Sequence, residues 1–319
     1  MRSDKRRSKH AFFALPSLLK LKNRFIKEIL LKIMFRINDG FYVLQENWRN
    51  LIILDDCRFD TFQKMLPKTN LSGKLDCRIS RGTETVSFLR ENFGNRGNLD
   101  DIVYITANPQ VDKSLSGKFH AIIPVWKFNW DTHLKTVLPN SMYQYVKLAQ
   151  EKYPDKRYII HYLQPHRPFI GFQTNFIERF PAFSPYQLFT WGSMKENGRN
   201  LFLAMSRDSI LKIYEWNLLL VLREVELLAG ILRGKTIVTS DHGEAFGEFI
   251  HPFIPIRVFG HPARTRISAL TLVPWFELQL NGGKELTANP QQIYDNKLSQ
   301  LTDSEYEIIT SRLRDLGYE

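Results

Sequence analysis

The segment Thr239-Ser240-Asp241-His242-Gly243-Glu244 sets a carboxylate beside an imidazole directly after the apolar run Ile237-Val238. A buried strand ending on such a pair presents a hard oxygen and a nitrogen at the edge where open α/β sheets bind ligands. Zinc and manganese accept that mixed set, whereas calcium and magnesium prefer oxygen alone. The plainer alternative is a turn that closes a strand. A second cluster, Asp55-Asp56-Cys57-Arg58-Phe59-Asp60, follows Leu51-Ile52-Ile53-Leu54. Its carboxylates can ligate a metal and Arg58 can clamp an anion; alternatively Asp55 caps the next helix and Arg58 simply pairs with Asp60. In His161-Tyr162-Leu163-Gln164-Pro165-His166-Arg167-Pro168-Phe169, two histidines bracket a Pro-rich turn, and His166 is the one expected to face a crevice. Gly260-His261-Pro262 supplies a further imidazole, with a glycine before it that lets backbone approach a ligand. His251, in the same stretch, reads as a lid residue. Hydroxyls crowd Ser80-Arg81-Gly82-Thr83-Glu84-Thr85-Val86-Ser87. Gly82 permits a sharp turn, and a helix from Thr85 to Phe93 would begin among N–H groups that favour an oxyanion. A metal beside such a hydroxyl lowers its pKa and makes it a nucleophile; without one, the threonine is an ordinary cap.

The elements that must carry these groups alternate. Leu51–Leu54, Ile102–Ile105, Tyr158–Ile160, Thr236–Val238 and Leu270–Val273 are short apolar runs of the kind buried on both faces of a sheet. Between them lie helical patterns, the clearest from about Ser209 to Leu232, stopped by Gly234. This order predicts an α/β fold with a mostly parallel central sheet and helices on both faces. The chain shows no internal repeat or low-complexity block, so residues 46–319 read as one catalytic domain, with 172–205 as a lid or insertion.

Charge separates the N-terminus from the rest. Residues 1–36 hold 11 Lys/Arg against 2 Asp/Glu, while the remainder is nearly balanced at 33 against 31. Residues 1–45 therefore read as a basic amphipathic arm suited to peripheral contact, through 1–36, with an anionic membrane surface, or as a solvated tail leading into a first helix. Nucleic-acid binding is not expected, because the body lacks a basic surplus. No apolar stretch approaches the ~20 residues of a bilayer span, and Phe12 to Leu19 is too short and too basic in its flanks for a signal peptide. The expectation is a cytoplasmic protein, with the inner membrane surface as a place it could dock. Two cysteines, Cys57 and Cys77, make no disulfide framework.

Taken in order, Leu54-Asp55-Asp56-Cys57-Arg58-Phe59-Asp60, Ala107-Asn108-Pro109, the His161–Phe169 segment, Ser240-Asp241-His242-Gly243-Glu244, Gly260-His261-Pro262 and Val273-Pro274-Trp275 resemble the alkaline phosphatase superfamily. The resemblance is to its sulfatase-like branch, and to a prokaryotic group with an Asp-x-Cys-Arg-(Tyr/Phe)-Asp start, and it covers roughly residues 45–275. It implies one or two divalent metals, zinc or manganese ahead of calcium or magnesium, and a hydrolase or transferase acting on an anionic phosphate or sulfate ester, glycan- or lipid-linked among the choices. By the same resemblance Asp55, Asp241 and His242 are ligands of one metal. His166 and His261 then ligate a second metal or contact the substrate anion, with Arg58 a further anion contact. The nucleophile is Thr85 if the helix is aligned on Val86–Leu89, or Thr83 if the turn begins at Gly82, with Thr85 slightly preferred. Cys77-Arg78-Ile79-Ser80-Arg81 is a near match to the formylglycine segment of arylsulfatases, with Ile79 where that segment has proline. Two other classes remain: a non-catalytic relative that binds an anionic glycan or headgroup, and a chain whose main role is the basic arm.

Overall fold

The computed structural model describes residues 38–132, 134–170 and 206–280; residues 1–37 of the basic arm and the lid or insertion at 172–205 lie outside them. Seven strands form the central sheet: β1 (Asn50–Leu54), β2 (Gly73–Ile79), β3 (Leu99–Thr106), β4 (Phe119–Pro124), β7 (Arg157–Tyr162), β8 (Thr236–Thr239) and β11 (Leu272–Leu278). Two-stranded pairs are made by β5 (Trp130–Asp131) with β6 (Thr136–Val137), and by β9 (Ala245–His251) with β10 (Ile254–Gly260). The sheet order is β2-β11-β8-β1-β7-β3-β4. Ladders from β8 through β4 are parallel, and β11 runs antiparallel to both neighbours. The α/β fold with a mostly parallel sheet is thus as the alternation of elements implies.

Residue alternation along the strands sorts the core. Ile52, Leu54, Ile160 and Tyr162 face one side with Phe62 of α1 (Phe59–Met65), Val146 of α5 (Ser141–Lys152) and Leu218, Leu222 and Val225 of α6 (Arg207–Ile231). Leu51, Ile53, Ile159 and Ile237 face the other, against Phe88 and Leu89 of α2 (Thr85–Leu89) and Val111 of α3 (Gln110–Leu115). A short α4 (Val125–Phe128) leads from β4 to β5. Strands covered on both faces need apolar side chains at every position, and β1 is buried throughout. Its one polar residue, Asn50, donates to Thr236 Oγ1 at 2.8 Å and so ties β1 to β8.

Helix α6 starts at the Ser206 cap, whose side chain accepts the Ser209 N–H. Its chain leaves through Gly234 at φ 80°, a conformation that favours glycine. The C-terminal strand begins later than the apolar run suggests. The Leu270 and Thr271 N–H groups return to the Ile267 carbonyl at 2.9 and 3.0 Å, closing the single turn α7 (Ser268–Thr271) before β11. Among the described residues no helix is long and apolar enough to cross a membrane.

Candidate metal centre and nucleophile

Strands β8, β1, β7 and β3 are neighbours and end at the same edge of the sheet. Asp241 to Glu244 leave β8, Asp55 and Asp56 leave β1, His161 lies near the end of β7, and Asn108 follows β3. All of these are buried, as is Thr85, the first residue of α2.

Backbone hydrogen bonds set the two acidic turns against each other. Asp241 Oδ1 accepts the Asp56 N–H at 3.1 Å and its neighbour His242 N–H at 2.9 Å. Asp56 sits at φ 70°, which Asp tolerates better than most residues. Tyr214 of α6 braces that turn: its hydroxyl donates to the Asp56 carbonyl at 2.6 Å and its oxygen accepts the Arg58 N–H at 2.9 Å. Ser240 Oγ accepts the Cys57 N–H at 2.8 Å and donates to the Leu54 carbonyl, and the Ser80 hydroxyl donates to the Asp241 carbonyl. The His166 N–H donates to the Asp55 carbonyl at 3.1 Å, while Asn217 of α6 donates to the Pro165 and His166 carbonyls. Thus the two polar side chains on the buried face of α6 hold the loops of the site.

Gly243 seats the Asp241-His242 turn. Its N–H bonds the Leu270 carbonyl at 2.9 Å, and an added Cβ would stand 2.2 Å from the Ala269 carbonyl oxygen. Gly243→Ala is therefore expected to cost about 1–3 kcal/mol through overpacking and to weaken divalent-metal binding by displacing His242. Thermal melts and a metal titration check this; an unchanged melt with unchanged affinity would show that the turn tolerates the methyl.

Within this frame the ligand-type atoms converge. The Thr85 hydroxyl donates to Asp241 Oδ2 at 2.8 Å and lies 3.4 Å from His242 Nε2. That same Nε2 is 3.6 Å from Asp55 Oδ1 and 3.4 Å from Asp241 Oδ2. Asn108 Nδ2 donates to Asp55 Oδ2 at 2.7 Å. On the far side of the His242 ring, Nδ1 faces the Gly243 carbonyl at 3.1 Å and Asp56 Oδ1 at 3.2 Å. Both are acceptors, so Nδ1 carries a proton and Nε2 is the atom available to a cation once His242 is neutral. Asp55 Oδ1 is buried with no hydrogen-bond donor among the described residues, an arrangement that calls for a ligand or ion. The donor set of Asp55, Asp241, His242 and Thr85, oxygen with one nitrogen, fits zinc or manganese.

The second pair stands beside it. His261 Nδ1 lies 2.7 Å from Glu244 Oε2 and 3.6 Å from Asp56 Oδ1, and its ring is 4.8 Å from that of His242 and 5.1 Å from that of His166. Asp56, His242 and His261 also place ligand atoms within 4.8 Å of one another. His166 Nδ1 donates to the Arg167 carbonyl at 2.6 Å, leaving its Nε2 as the acceptor of the neutral ring.

Electrostatics sorts these groups. Burial disfavours charge on His242, but the Asp241 and Asp56 carboxylates outweigh it and lift the imidazole to about 9. His261 is likewise raised, burial being overcome by Glu244 and Asp56. His166 goes the other way, down to about 3, through burial and the neighbouring His261 and Arg167. Asp55 is raised well above the carboxylate range by burial and by Asp241. Asp241 is lowered, since His242 and His161 outweigh its burial.

The structure therefore gathers Asp55, Asp241, His242, Thr85, His166 and His261 around one centre. Arg58 has protein partners instead: two bonds to Asp60, one to Glu248 and one to the Glu244 carbonyl. Thr83 Oγ1 accepts the Arg264 N–H at 2.9 Å. Cys77 lies in β2 opposite Pro274, with its N–H bonded to Asp76. His251 packs against Phe253 at the hairpin end. Gly260 is required for its φ of 71° more than for close approach, since an added Cβ would find its nearest neighbour, Glu244 Oε1, at 3.9 Å. Asp56, one of the strand-end carboxylates, joins the centre as well, and so do Asn108, His161 and Glu244, to which the sequence assigned no role. Asp56, Asn108 and Glu244 stood inside the motifs, and His161 was marked by being an imidazole in an apolar strand.

No family model matches the sequence, and no curated protein matches it. Among solved structures, the chain is similar to the integral membrane protein lipooligosaccharide phosphoethanolamine transferase A (EptA) from Neisseria meningitidis, at 14% identity and a TM-score of 0.43 over 75% of this chain and 49% of that one. The chain spans about half the length of that protein. It is similar as well to the soluble domain of the same transferase, at 14% identity and a TM-score of 0.44 over 75% of this chain and 79% of that one. A third similarity is to the C-terminal periplasmic domain of EcEptC from Escherichia coli in complex with Zn, at 12% identity and a TM-score of 0.40 over 76% of each chain.

Proposed function

We propose that the chain is a divalent-metal-dependent enzyme that transfers or hydrolyses a phosphate or sulfate ester through Thr85. The observation that carries this is the Thr85 hydroxyl, buried and hydrogen-bonded to Asp241 Oδ2 at 2.8 Å beside His242 Nε2 and the donorless Asp55 Oδ1. Asp55, Asp241 and His242 would hold the cation with Thr85. Its chemistry there is that of a Lewis acid, which lowers the pKa of the hydroxyl and polarises the ester oxygen.

The chain's own residues supply the rest. Asp241, held ionised by His242 and His161 against its burial, accepts the Thr85 hydrogen bond and fixes Oγ1 toward the site. Oγ1, its proton released to solvent as the hydroxyl ionises, attacks phosphorus or sulfur; its bond to that atom forms, and the ester bond to the leaving oxygen breaks. His261, kept charged by Glu244 and Asp56, stabilises the developing negative charge and provides the proton for the leaving oxygen. Neutral His166 then offers Nε2 to the hydroxyl of water or of an acceptor, which displaces Thr85 and regenerates it. Arg58, tied to Asp60 and Glu248, braces the strand end in this scheme.

The test is metal analysis of the purified full chain together with a panel of phosphomonoesters, phosphodiesters and sulfate esters, with and without added zinc or manganese. Turnover that needs the metal and passes through a covalently modified Thr85 is expected. Binding of an anionic ester with no turnover under any metal would instead favour the non-catalytic relative. For the basic arm we propose contact with an anionic membrane surface: deletion of residues 1–36, with their 11 Lys/Arg, is expected to abolish sedimentation with phosphatidylserine-containing vesicles. Unchanged sedimentation would remove that role.

A further inference from the structure

His161 is the one imidazole of the site that comes from within a strand. It is fully buried in β7, pairs in register with Thr106 and Ile53, and extends to the face of the sheet where Tyr104, Phe93 and Phe119 pack. Tyr104 OH lies 2.9 Å from its Nδ1. Its Nε2 has no hydrogen-bond partner among the described residues. That atom stands 4.0 Å from Asp241 Oδ2, and Asp55, His161 and Asp241 all offer ligand atoms within 4.8 Å of one another.

A separation of 4.0 Å is too long for a hydrogen bond. It suits two ligands of one small ion, which stand no more than about 4.4 Å apart when each metal–ligand bond is near 2.2 Å. Two donorless or partnerless atoms, Asp55 Oδ1 and His161 Nε2, flank the same Asp241 carboxylate. Ligating imidazoles give their other N–H to a fixed acceptor that sets the tautomer, and the Tyr104 oxygen stands at that position.

We infer that His161 is a further ligand of the proposed metal centre, coordinating through Nε2, with Tyr104 as the positioning residue that fixes its ring. The inference rests on the metal-dependent reading above and adds a second nitrogen to the Asp55, Asp241 and His242 set. Two nitrogens shift preference away from magnesium and calcium and toward zinc.

The experiment is titration of the chelator-treated full chain with zinc, in wild type, His161→Ala and Tyr104→Phe, together with X-ray absorption at one equivalent to count imidazole ligands. Wild type is expected to show two imidazoles, and His161→Ala one. Affinity should fall by on the order of 10–100-fold in Tyr104→Phe and further in His161→Ala. Equal affinity in all three, or one imidazole in wild type, overturns the inference while leaving the metal-dependent reading intact. If His161→Ala does not fold, His161→Gln replaces it, and loss of one imidazole from the wild-type count still decides. Wild type that binds no zinc overturns both.

Discussion

Thr85→Ala is expected to lower turnover by roughly 10⁴–10⁶-fold, the loss seen when a covalent nucleophile is removed from a site whose other groups remain. Stability should hardly move. The substitution removes a methyl, the hydrogen bond donated to Asp241 and a long one accepted from Asn108 at 3.5 Å, about 1 kcal/mol, which for a domain of this size lowers the melting temperature by about 2–4 °C. Thr85→Ser keeps the oxygen and should retain measurable turnover. Thr83→Ala is the control within the same loop: its hydroxyl accepts the Arg264 N–H, so its loss should weaken the loop slightly and leave most activity. Intact-mass analysis during turnover should show the transferred group on wild type and Thr85→Ser but not on Thr85→Ala. The reverse pattern, an inactive Thr83→Ala with an active Thr85→Ala, would move the nucleophile two residues back.

That choice shows where the sequence is readable and where it is not. β1, β7 and β8 are legible because a strand buried on both faces must be mostly apolar, and polar residues that no buried strand needs stand at or just beyond their ends: Asp55 after β1, His161 in β7 and Asp241 after β8. β2 is not, since as the edge strand it alternates Lys74, Asp76 and Arg78 with half-buried neighbours. Nor does hydropathy encode direction, so the antiparallel course of β11 emerges only from pairing. Thr83 and Thr85 are equivalent in type and differ only in how the turn after Gly82 presents them. Arg58 is equally ambiguous: a guanidinium next to two carboxylates suits an anion or an ion pair, and packing of Glu248 from β9 adds the partner that draws it toward the protein. His161 and Tyr104 lie 57 positions apart, and only strand register brings them together.

Chelation is expected to expose a loss of stability with rising pH that bound metal suppresses. The metal must displace the proton from His242, which the carboxylates hold up to about 9 from an ordinary 6.5, so affinity should climb about tenfold per pH unit between 6.5 and 9 and then level off. Asp55, raised by burial and Asp241, adds a second proton to release where it is still protonated. Without metal, linkage runs the other way. A group whose folded pKa is raised contributes stability that is complete below its unfolded value and disappears as pH passes the folded value. His242, His261 and Asp55 are all of this kind. His166 and His161, lowered to about 3 and about 4, titrate in the folded state well below this range, and the end of their unfolded-state titration near 6.5 offsets only a small part of the loss. Chelated protein should therefore lose on the order of 3 kcal/mol from His242 alone between pH 6.5 and 9, a fall of several degrees in melting temperature. Protein kept saturated with zinc should hold nearly constant stability over the same range, because the metal-bound fold has already given up the His242 proton and the gain in binding offsets the loss in the apo fold. Paired melts at pH 6.5 and 9, with chelator and with saturating zinc, measure both slopes. Parallel slopes would mean that the cation and the His242 proton do not compete, and His242 would have to leave the ligand set.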